Sequence, residues 1–252
     1  MEDKEHKILN MAVIRTKGEI DVTFFKNEQI KHQFGNENEW IDEPNAIGLQ
    51  DVECRIDIPA WHQRYNHESK ILSNIIIKND FKKIIELGSG PGALGQKLME
   101  KLNLDYTFID QPGAKKIFED RGYKGKFFVK DLMNSFDTSD LDNDYDFLIT
   151  NDFLEHIYNP SVVLQESYKL LKSNSKMFVS VPNWRMGHTF IYRGLFDYDN
   201  FLYFMYTHGF ELSGVYDSLL KCQSLPKETS ESKMDDRLIN NWNWYMLFNK
   251  RN

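Results

Sequence analysis

Apolar residues along this chain follow two alternating patterns, short continuous runs and recurrence at every third or fourth position. The continuous runs are rich in β-branched and aromatic residues, which is typical of buried strands. They stand in the segments "KIIEL", "YTFID", "KFFVKD", "YDFLIT" and "KMFVSVPN", with two later candidates in "ELSGVYDSLL" and "WNWYMLFNK". The intervening segments have the period of amphipathic helices, so strands and helices are predicted to alternate.

The helical pattern predicts four helices at separate places in the chain. One covers residues 61–79, and a second follows "KIIEL" with an apolar stripe that runs to Leu102. A third begins at Asn159, a good cap that precedes proline, and carries Leu171 on its apolar side. A fourth, in "YDNFLYFMYTHGF", is closed by Gly209.

The alternation of strands and helices predicts an α/β fold. Continuous apolar strands of this kind belong to a parallel sheet that helices cover on both faces. Ligands of such sheets bind beyond the carboxyl ends of the strands. Polar residues occupy these ends at Asp110, Asp131, Asn151 and Asn183. The sequence therefore predicts a ligand site along this edge.

Gly88, Gly90 and Gly92 separate the first strand from the helix that follows it. Glycine permits a tight turn and lets a ligand contact bare backbone, and the new helix presents free N–H groups to that ligand. The segment thus predicts a nucleotide-binding corner. Two cofactors compete for it, because G-x-G-x-x-A is the NAD fingerprint, whereas Glu86 followed by G-x-G-x-G indicates a different nucleotide.

The N-terminal part of the chain differs from the rest. Residues 8–34 are predicted to be extended, with a hairpin turn at Lys17-Gly18. We interpret residues 1–60 as a small β-containing extension that serves as a hairpin, a lid or an oligomer contact, a homodimer included, because so short a segment buries little by itself. Residues 61–252 form the main domain, with an irregular substrate loop at 183–200 and a mobile polar loop at 224–238.

Composition narrows the class of protein. The 252 residues carry a formal charge of −7, which argues against a nucleic-acid surface. The N-terminus is polar and no apolar run is long enough to cross a bilayer, so no membrane partner is expected. Two cysteines without a pairing pattern indicate a reducing, cytoplasmic location. His62 and His67 lie five positions apart, which does not suit a helical metal site, so no metal is predicted.

Residues 61–220 resemble a class I S-adenosylmethionine-dependent methyltransferase. "IIELGSGPG", "FIDQPG" and "VKDLM" are similar to successive cofactor motifs of that class, and "YDFLITNDFLEHIYNP" is similar to its "LEH" branch, which includes quinone-biosynthesis and sugar methyltransferases. One departure is visible, because relatives often have Pro-Gly-Gly where this chain has Ser173-Asn174-Ser175, a turn expected to be structural. The resemblance implies a Rossmann-like, seven-stranded, mostly parallel sheet whose last strand is antiparallel.

The resemblance also implies which residues hold S-adenosylmethionine and release S-adenosylhomocysteine. An acid at the end of the second strand would bind the ribose, an acid after the third would meet the adenine amine, and the glycine corner would face the methionine end. The expected cofactor-binding residues are Tyr65, Glu86, Gly88, Ser89, Gly90, Gly92, Asp110, Gln111, Asp131, Leu132 and Asn151. For Tyr65, packing is an equal alternative. The NAD interpretation explains the glycines and Asp110 but leaves "NDFLEH" and Asp131 without a role.

Methyl transfer to a hydroxyl needs a base, and the candidates are His188 and His156. Arg185 and Arg193 could clamp an anionic acceptor, with Asn183 and Tyr192 in the same substrate loop. The expected function is methylation of a small molecule, with a hydroxyl of a sugar, a sugar phosphate or a related cell-surface polysaccharide precursor preferred. The alternatives are methylation of a small amine, a catalytically silent cofactor-binding protein and, remotely, an NAD-dependent oxidoreductase.

Overall fold

The computed structural model describes residues 59–132, 136–157, 159–182, 198–216, 222–223 and 243–252. The helices are α1 (Pro59–Asn79), α2 (Ala93–Met99), α3 (Pro112–Asp120), α4 (Pro160–Leu170) and α5 (Tyr198–Thr207). The strands are β1 (Lys83–Leu87), β2 (Asp105–Asp110), β3 (Lys126–Val129), β4 (Tyr145–Asn151), β5 (Leu171–Pro182), β6 (Phe210–Tyr216), β7 (Cys222–Gln223) and β8 (Asn243–Lys250). A short 3-10 turn, Leu154–His156, follows β4.

All of these strands belong to one sheet with the order β3-β2-β1-β4-β5-β8-β6-β7. The pairs from β3 to β5 are parallel, and β8 runs antiparallel between β5 and β6. The predicted α/β, Rossmann-like sheet with an antiparallel last strand is therefore confirmed. The two-residue strand β7 pairs with β6 and adds an edge strand that the sequence analysis did not predict. Strand order reverses between β1 and β4, and ligands of open α/β sheets bind at such a switch point.

The two faces of the sheet are covered by different helices because strand side chains alternate between faces. On one face, Ile84 and Phe147 pack with apolar residues of α1, α2 and α3. On the other, Ile85 and Leu148 pack with residues of α4 and α5. Helices on both faces are thus confirmed. Burial of these β-branched and aromatic residues supplies the main stabilisation of the domain.

Several predicted boundaries are wrong, each for a local reason. Strand β3 ends at Val129 and not at Asp131, since pairing with β2 stops where Val129 meets Asp110. Leu171 begins β5 and is not part of α4. Leu102 lies beyond the end of α2 but still packs against the core.

The Ser173-Asn174-Ser175 segment is a bulge within β5. Tyr145 of β4 pairs with Leu171, and Phe147 pairs with Lys176, so β5 has extra residues at this point. Asn174 has a φ of 63°, a conformation that asparagine tolerates better than most residues. The segment expected to form a turn therefore lies within a strand, and that its role is structural remains a prediction. The predicted N-terminal extension 1–60, apart from its last two residues, and the loop 224–238 lie outside the described residues.

Candidate functional site

The glycine corner connects β1 to α2 in a conformation that requires glycine. Gly88, Gly90 and Gly92 have φ values of 67°, 52° and 85°, all in the left-handed region. The N–H groups of Gly88 and Ser89 donate to the carbonyl oxygen of Ile109 at 2.9 and 3.2 Å, which joins the corner to β2. A Cβ on Gly88 would lie 2.1 Å from the Phe153 ring, so no larger residue fits there.

Asp110, at the end of β2, fixes this corner from the other side. Its carboxylate accepts hydrogen bonds from the N–H of Gly90 at 2.6 Å and from that of Gln111 at 2.7 Å. Burial raises the pKa of Asp110 to about 6, although these two bonds oppose the shift. A carboxylate offers about four acceptor positions, so Asp110 keeps capacity for hydroxyl donors of a ligand.

Gln111 adds a second polar group beside Asp110. Its side chain is only 7% exposed. Its Oε1 has no hydrogen-bond partner within the part of the chain that the structure describes. A buried amide oxygen without a partner costs free energy unless a ligand or water satisfies it. This atom therefore marks a place where a donor group fits.

The other predicted cofactor residues lie at the same edge but in different environments. Asp131 follows β3 by two residues and is half-buried, and Leu132 is buried in the core on the α4 face. Tyr65 of α1 packs against the opposite core, and burial followed by the Glu68 charge raises its pKa to about 12. That Asp131, Leu132 and Tyr65 contact the cofactor therefore remains a prediction.

A cluster of polar side chains lies at the carboxyl ends of β4 and β5, under α1. We call it the Asp152 cluster and define it as Arg64, Glu68, Asn151, Asp152, Ser180, Asn243 and Tyr245. Asp152 is at its centre: one carboxylate oxygen accepts from Ser180 Oγ at 2.6 Å and from Asn243 Nδ2 at 2.5 Å, and the other accepts from Arg64. The cluster thereby ties α1 to the sheet.

Arg64 and Glu68 supply the α1 side of the cluster. Arg64 Nε donates to Glu68 Oε1 at 2.7 Å, and the Asn151 amide and the Tyr245 hydroxyl donate to the same carboxylate at 3.1 and 3.2 Å. Burial raises the pKa of Glu68, while Arg64 opposes the shift. Burial would lower the pKa of Arg64, but the Asp152 and Glu68 charges outweigh it and raise that pKa.

The backbone of Asp152 is in an uncommon conformation. Its φ is 49°, a region that few residues other than glycine adopt and that costs of order 1–3 kcal/mol. Its N–H donates to the carbonyl oxygen of Ser180 at 3.0 Å, and its side-chain bonds hold the same turn. A strained backbone conformation persists only where contacts with the surrounding structure hold it in place. Such conformations are concentrated at functional sites.

Two further buried carboxyl groups lie near these residues. Glu86 of β1 is 2% exposed and accepts a hydrogen bond from the Tyr106 hydroxyl at 2.9 Å. Burial raises the pKa of Glu86 to about 8, with the Glu68 and Asp110 charges adding to the shift. Glu155, in the "LEH" turn, is 1% exposed, and burial followed by the Asp152 charge raises its pKa well above the usual range.

Sequence reasoning missed most of the Asp152 cluster, of which only Asn151 was predicted. The available signals were local and weak: Arg64 precedes Glu68 by four residues, and Asp152 follows Asn151 directly. Ser180 reaches Asp152 through the pairing of β5 with β4, and Asn243 reaches it through the pairing of β8 with β5.

The predicted catalytic and substrate residues are not brought to the site by the described structure. Asn183, Arg185, His188, Tyr192 and Arg193 lie outside the described residues. His156 lies in the 3-10 turn after β4, and its side chain is outside the described part. Their roles remain predictions.

The described residues contain no group of three or more histidine, cysteine, aspartate or glutamate side chains that could hold a metal ion. No described helix combines the length and the apolar character that crossing a bilayer requires.

The sheet order, the glycine corner and the acid at the end of β2 define a nucleotide-binding domain of the Rossmann-like class. The family model described as a methyltransferase domain matches residues 60–249, and the chain therefore belongs to this family. It is a class I S-adenosylmethionine-dependent methyltransferase, as predicted. No curated protein matches the chain.

Solved structures with the same fold have low sequence identity to this chain. A TehB-like S-adenosylmethionine-dependent methyltransferase from Corynebacterium glutamicum is 16% identical with a TM-score of 0.55, covering 81% of this chain and 98% of that one. An S-adenosylmethionine-dependent methyltransferase from Clostridium acetobutylicum is 11% identical with a TM-score of 0.56, covering 81% and 97%. The [4+2]-cyclase SpnF is 15% identical with a TM-score of 0.51, covering 71% and 80%.

The residues present fit S-adenosylmethionine. Asp110 has acceptor capacity for ribose hydroxyls, and the Gln111 and Asn151 side-chain oxygens are buried without a partner among the described residues. The glycine corner allows close approach to its backbone. The chemistry of the bound cofactor is the supply of an activated methyl group on a sulfonium ion.

Proposed function

We propose that the enzyme transfers the methyl group to a hydroxyl of a small molecule, a sugar, a sugar phosphate or a related cell-surface polysaccharide precursor, within the "LEH" branch of the class. The observation that carries this proposal is the Asp152 cluster, which supplies carboxylate, amide and hydroxyl groups beside the cofactor corner. A polyhydroxylated molecule offers both donors and acceptors to such groups.

Asp152 is the member of the cluster best suited to contact an acceptor. Its side chain is 26% exposed, and one of its oxygens accepts only the Arg64 bond among the described contacts. An acceptor hydroxyl could donate to that oxygen and so be held in line with the transferred methyl group. Because Asp152 already accepts three hydrogen bonds, we assign it an orienting role and not that of a base.

The proton of the hydroxyl must leave as the new carbon–oxygen bond forms. His188 and His156 are our candidates for the base that accepts it. Arg185 and Arg193 would bind a phosphate or carboxylate of the acceptor, and Asn183 and Tyr192 are further candidates for substrate binding. Residues 1–60 would act as a lid or a homodimer contact that excludes water from the reaction.

Two alternatives remain with this proposal. If the methyl acceptor is a neutral amine, it must be oriented but needs no base during the transfer. The Asp152 cluster could orient such an amine as well. A silent cofactor-binding protein is the other, since a chain of this fold is a [4+2]-cyclase and the fold does not fix the reaction.

The test is a screen for S-adenosylhomocysteine formation with matched acceptors: a sugar, its phosphate and its amino derivative. We expect turnover on the hydroxyl compounds, an increased KM for the phosphate in Arg185→Ala, and a large loss of kcat in His188→Gln. Arg121→Ala, after the end of α3, is the control and should behave as wild type.

Faster turnover on the amino derivative would replace the proposal by N-methylation. Tight S-adenosylhomocysteine binding without turnover on any of the three would favour the silent protein. An unchanged KM in Arg185→Ala would remove the proposed anion clamp.

A further inference from the structure

Asn151 holds a buried oxygen atom beside the glycine corner. The pairing of β1 with β4 ends at Leu87 and Thr150, so Gly88 and Asn151 follow directly at the same level of the sheet. The Oδ1 atom of Asn151 is buried and has no hydrogen-bond partner among the described residues. Such an oxygen costs free energy until a donor reaches it. It therefore marks a place for a donor group of the ligand.

Glu68 of α1 determines which atom of the Asn151 amide faces this place. The Glu68 side chain is 1% exposed, and its Oε2 accepts a hydrogen bond from Asn151 Nδ2 at 3.1 Å. An ionised carboxylate accepts hydrogen bonds and cannot donate them. Burial raises the pKa of Glu68, but the adjacent Arg64 charge favours the ionised form. The carboxylate therefore binds the amino group of the amide and leaves its oxygen directed elsewhere.

The second oxygen of Glu68 is held by two other donors. Arg64 Nε donates to Glu68 Oε1 at 2.7 Å, and the Tyr245 hydroxyl donates to it at 3.2 Å. Because a guanidinium can only donate, this position needs an acceptor atom. In Glu68→Gln the amide oxygen would consequently take the place of Oε1, and the amide nitrogen would face Asn151. The substitution thus reverses the polarity of one hydrogen bond and keeps the other contacts.

The chemistry of the cofactor identifies the donor that suits the Asn151 oxygen. The amino acid end of S-adenosylmethionine has one donor, its ammonium group, because its carboxylate and its sulfonium donate no N–H or O–H bond. The ribose hydroxyls have an acceptor in Asp110 at the end of β2. The Glu68 and Asp152 carboxylates share the Arg64 guanidinium, which leaves a net negative charge that favours a cation beside them.

We propose that Glu68 is a positioning residue for the cofactor: it binds the amino group of the Asn151 amide and thereby presents the amide oxygen to the ammonium group of S-adenosylmethionine. Asn151 makes the contact with the ligand, and Glu68 acts through it. The inference concerns the cofactor and holds for any methyl acceptor, so it stands or falls separately from the proposed O-methylation.

The experiment is titration calorimetry with S-adenosylhomocysteine and with its analogue in which hydrogen replaces the α-amino group. Wild type should prefer S-adenosylhomocysteine about tenfold or more, because the analogue lacks the charge-assisted hydrogen bond. In Glu68→Gln this preference should fall about tenfold, since the Asn151 amide then directs its own donors at the ammonium group. The affinity for the analogue should stay that of wild type. Glu119→Gln, an exposed carboxyl group paired with Lys115, is the matched control and should retain the full preference.

Exchange of the two side-chain groups provides a rescue that a merely structural role would not produce. In the double variant Glu68→Gln with Asn151→Asp, the new amide at position 68 donates to the new carboxylate at position 151, whose second oxygen is left for the ligand. The preference for the amino group should return to the wild-type level or above. A double variant no better than Glu68→Gln, an undiminished preference in Glu68→Gln, or an equal loss of affinity for both ligands would each overturn the proposal.

Asn151→Ala tests the contact without changing Glu68. It removes the oxygen itself, so the preference for the amino group should disappear while the analogue still binds. A preference that survives in Asn151→Ala would overturn the proposal even if Glu68→Gln does not fold. Thermal unfolding identifies which variants are folded.

Discussion

The glycine corner and the Asp152 cluster lie at the same edge of the sheet, but the chain assembles them differently. The corner and Asp110 belong to one strand–turn–helix–strand unit between residues 83 and 110. The cluster draws its members from α1, β4, β5 and β8, with Arg64 and Tyr245 at its sequence extremes. The corner depends on backbone conformation, whereas the cluster depends on charges that compensate each other across distant elements.

This difference predicts how each region should respond to amino-acid substitution. In the corner, any added side chain meets a fixed ring or a disfavoured φ, so shape determines the cost. In the cluster, removal of one partner leaves another polar group buried, so electrostatics and hydrogen bonding determine it.

The largest effect is expected in the corner. Gly88→Ala should lower the free energy of unfolding by about 3 kcal/mol or more, because a left-handed φ costs about 1–2 kcal/mol and a Cβ 2.1 Å from the Phe153 ring adds overpacking. Gly122→Ala is the matched control, with a similar φ of 64° and no atom within 4 Å of the added Cβ. Urea unfolding measures both. Equal losses in the two variants would show that backbone strain alone controls the corner.

The next effect is expected at the α1 side of the cluster. Arg64→Ala leaves Glu68 and Asp152 without their shared cation, and we expect a loss of about 2 kcal/mol, reduced from the value for a fully buried pair because the Arg64 side chain is 24% exposed. Lys82→Ala breaks the exposed pair with Asp80 and should cost less than about 1 kcal/mol. A loss for Arg64→Ala no larger than that of the control would contradict charge compensation.

Asp110 links the corner to the cofactor. Asp110→Asn should weaken S-adenosylhomocysteine binding about tenfold by titration calorimetry, because the amide replaces one charged acceptor with a donor. In wild type the affinity should fall as the pH decreases through about 6, where the raised pKa of Asp110 allows protonation, and the variant should lose this dependence. Asp105→Asn, at the exposed start of the same strand, is the control. Unaltered affinity in Asp110→Asn would exclude the ribose contact.

The smallest effect is expected where donors to Asp152 are redundant. Ser180→Ala should cost only about 1 kcal/mol, since Asn243 still donates to the same carboxylate oxygen. The double variant with Asn243→Ala should lose more than the sum of the single losses, by about 0.5 kcal/mol or more. Ser213→Ala combined with Asn243→Ala should be additive, because Ser213 donates to the Leu247 carbonyl instead. Additivity in both pairs would mean that Asp152 does not couple the strands.

The sequence predicted the end of a strand correctly where hydrogen-bonded pairing with a neighbouring strand extends to the end of the apolar run. Strand β2 ends at Asp110 and β4 at Asn151, as expected, because β3 pairs with β2 as far as Asp110 and β5 pairs with β4 as far as Asn151. Strand β3 ends early at Val129, since its partner β2 has ended there, and that limit is a property of the sheet. Leu171 has the helical spacing of α4, yet pairing with Tyr145 places it in β5.

The sequence alone determined the parallel α/β fold, the glycine corner and the acid that fixes it. These features depend on residues within a few positions of one another, where periodicity and backbone preference act directly. Only the tertiary structure decided that Arg64, Glu68, Asp152, Ser180 and Asn243 form one cluster, and that Glu86 is buried beside acids rather than cations. Charge compensation and desolvation arise from elements that meet in space, and no local pattern encodes which elements these are.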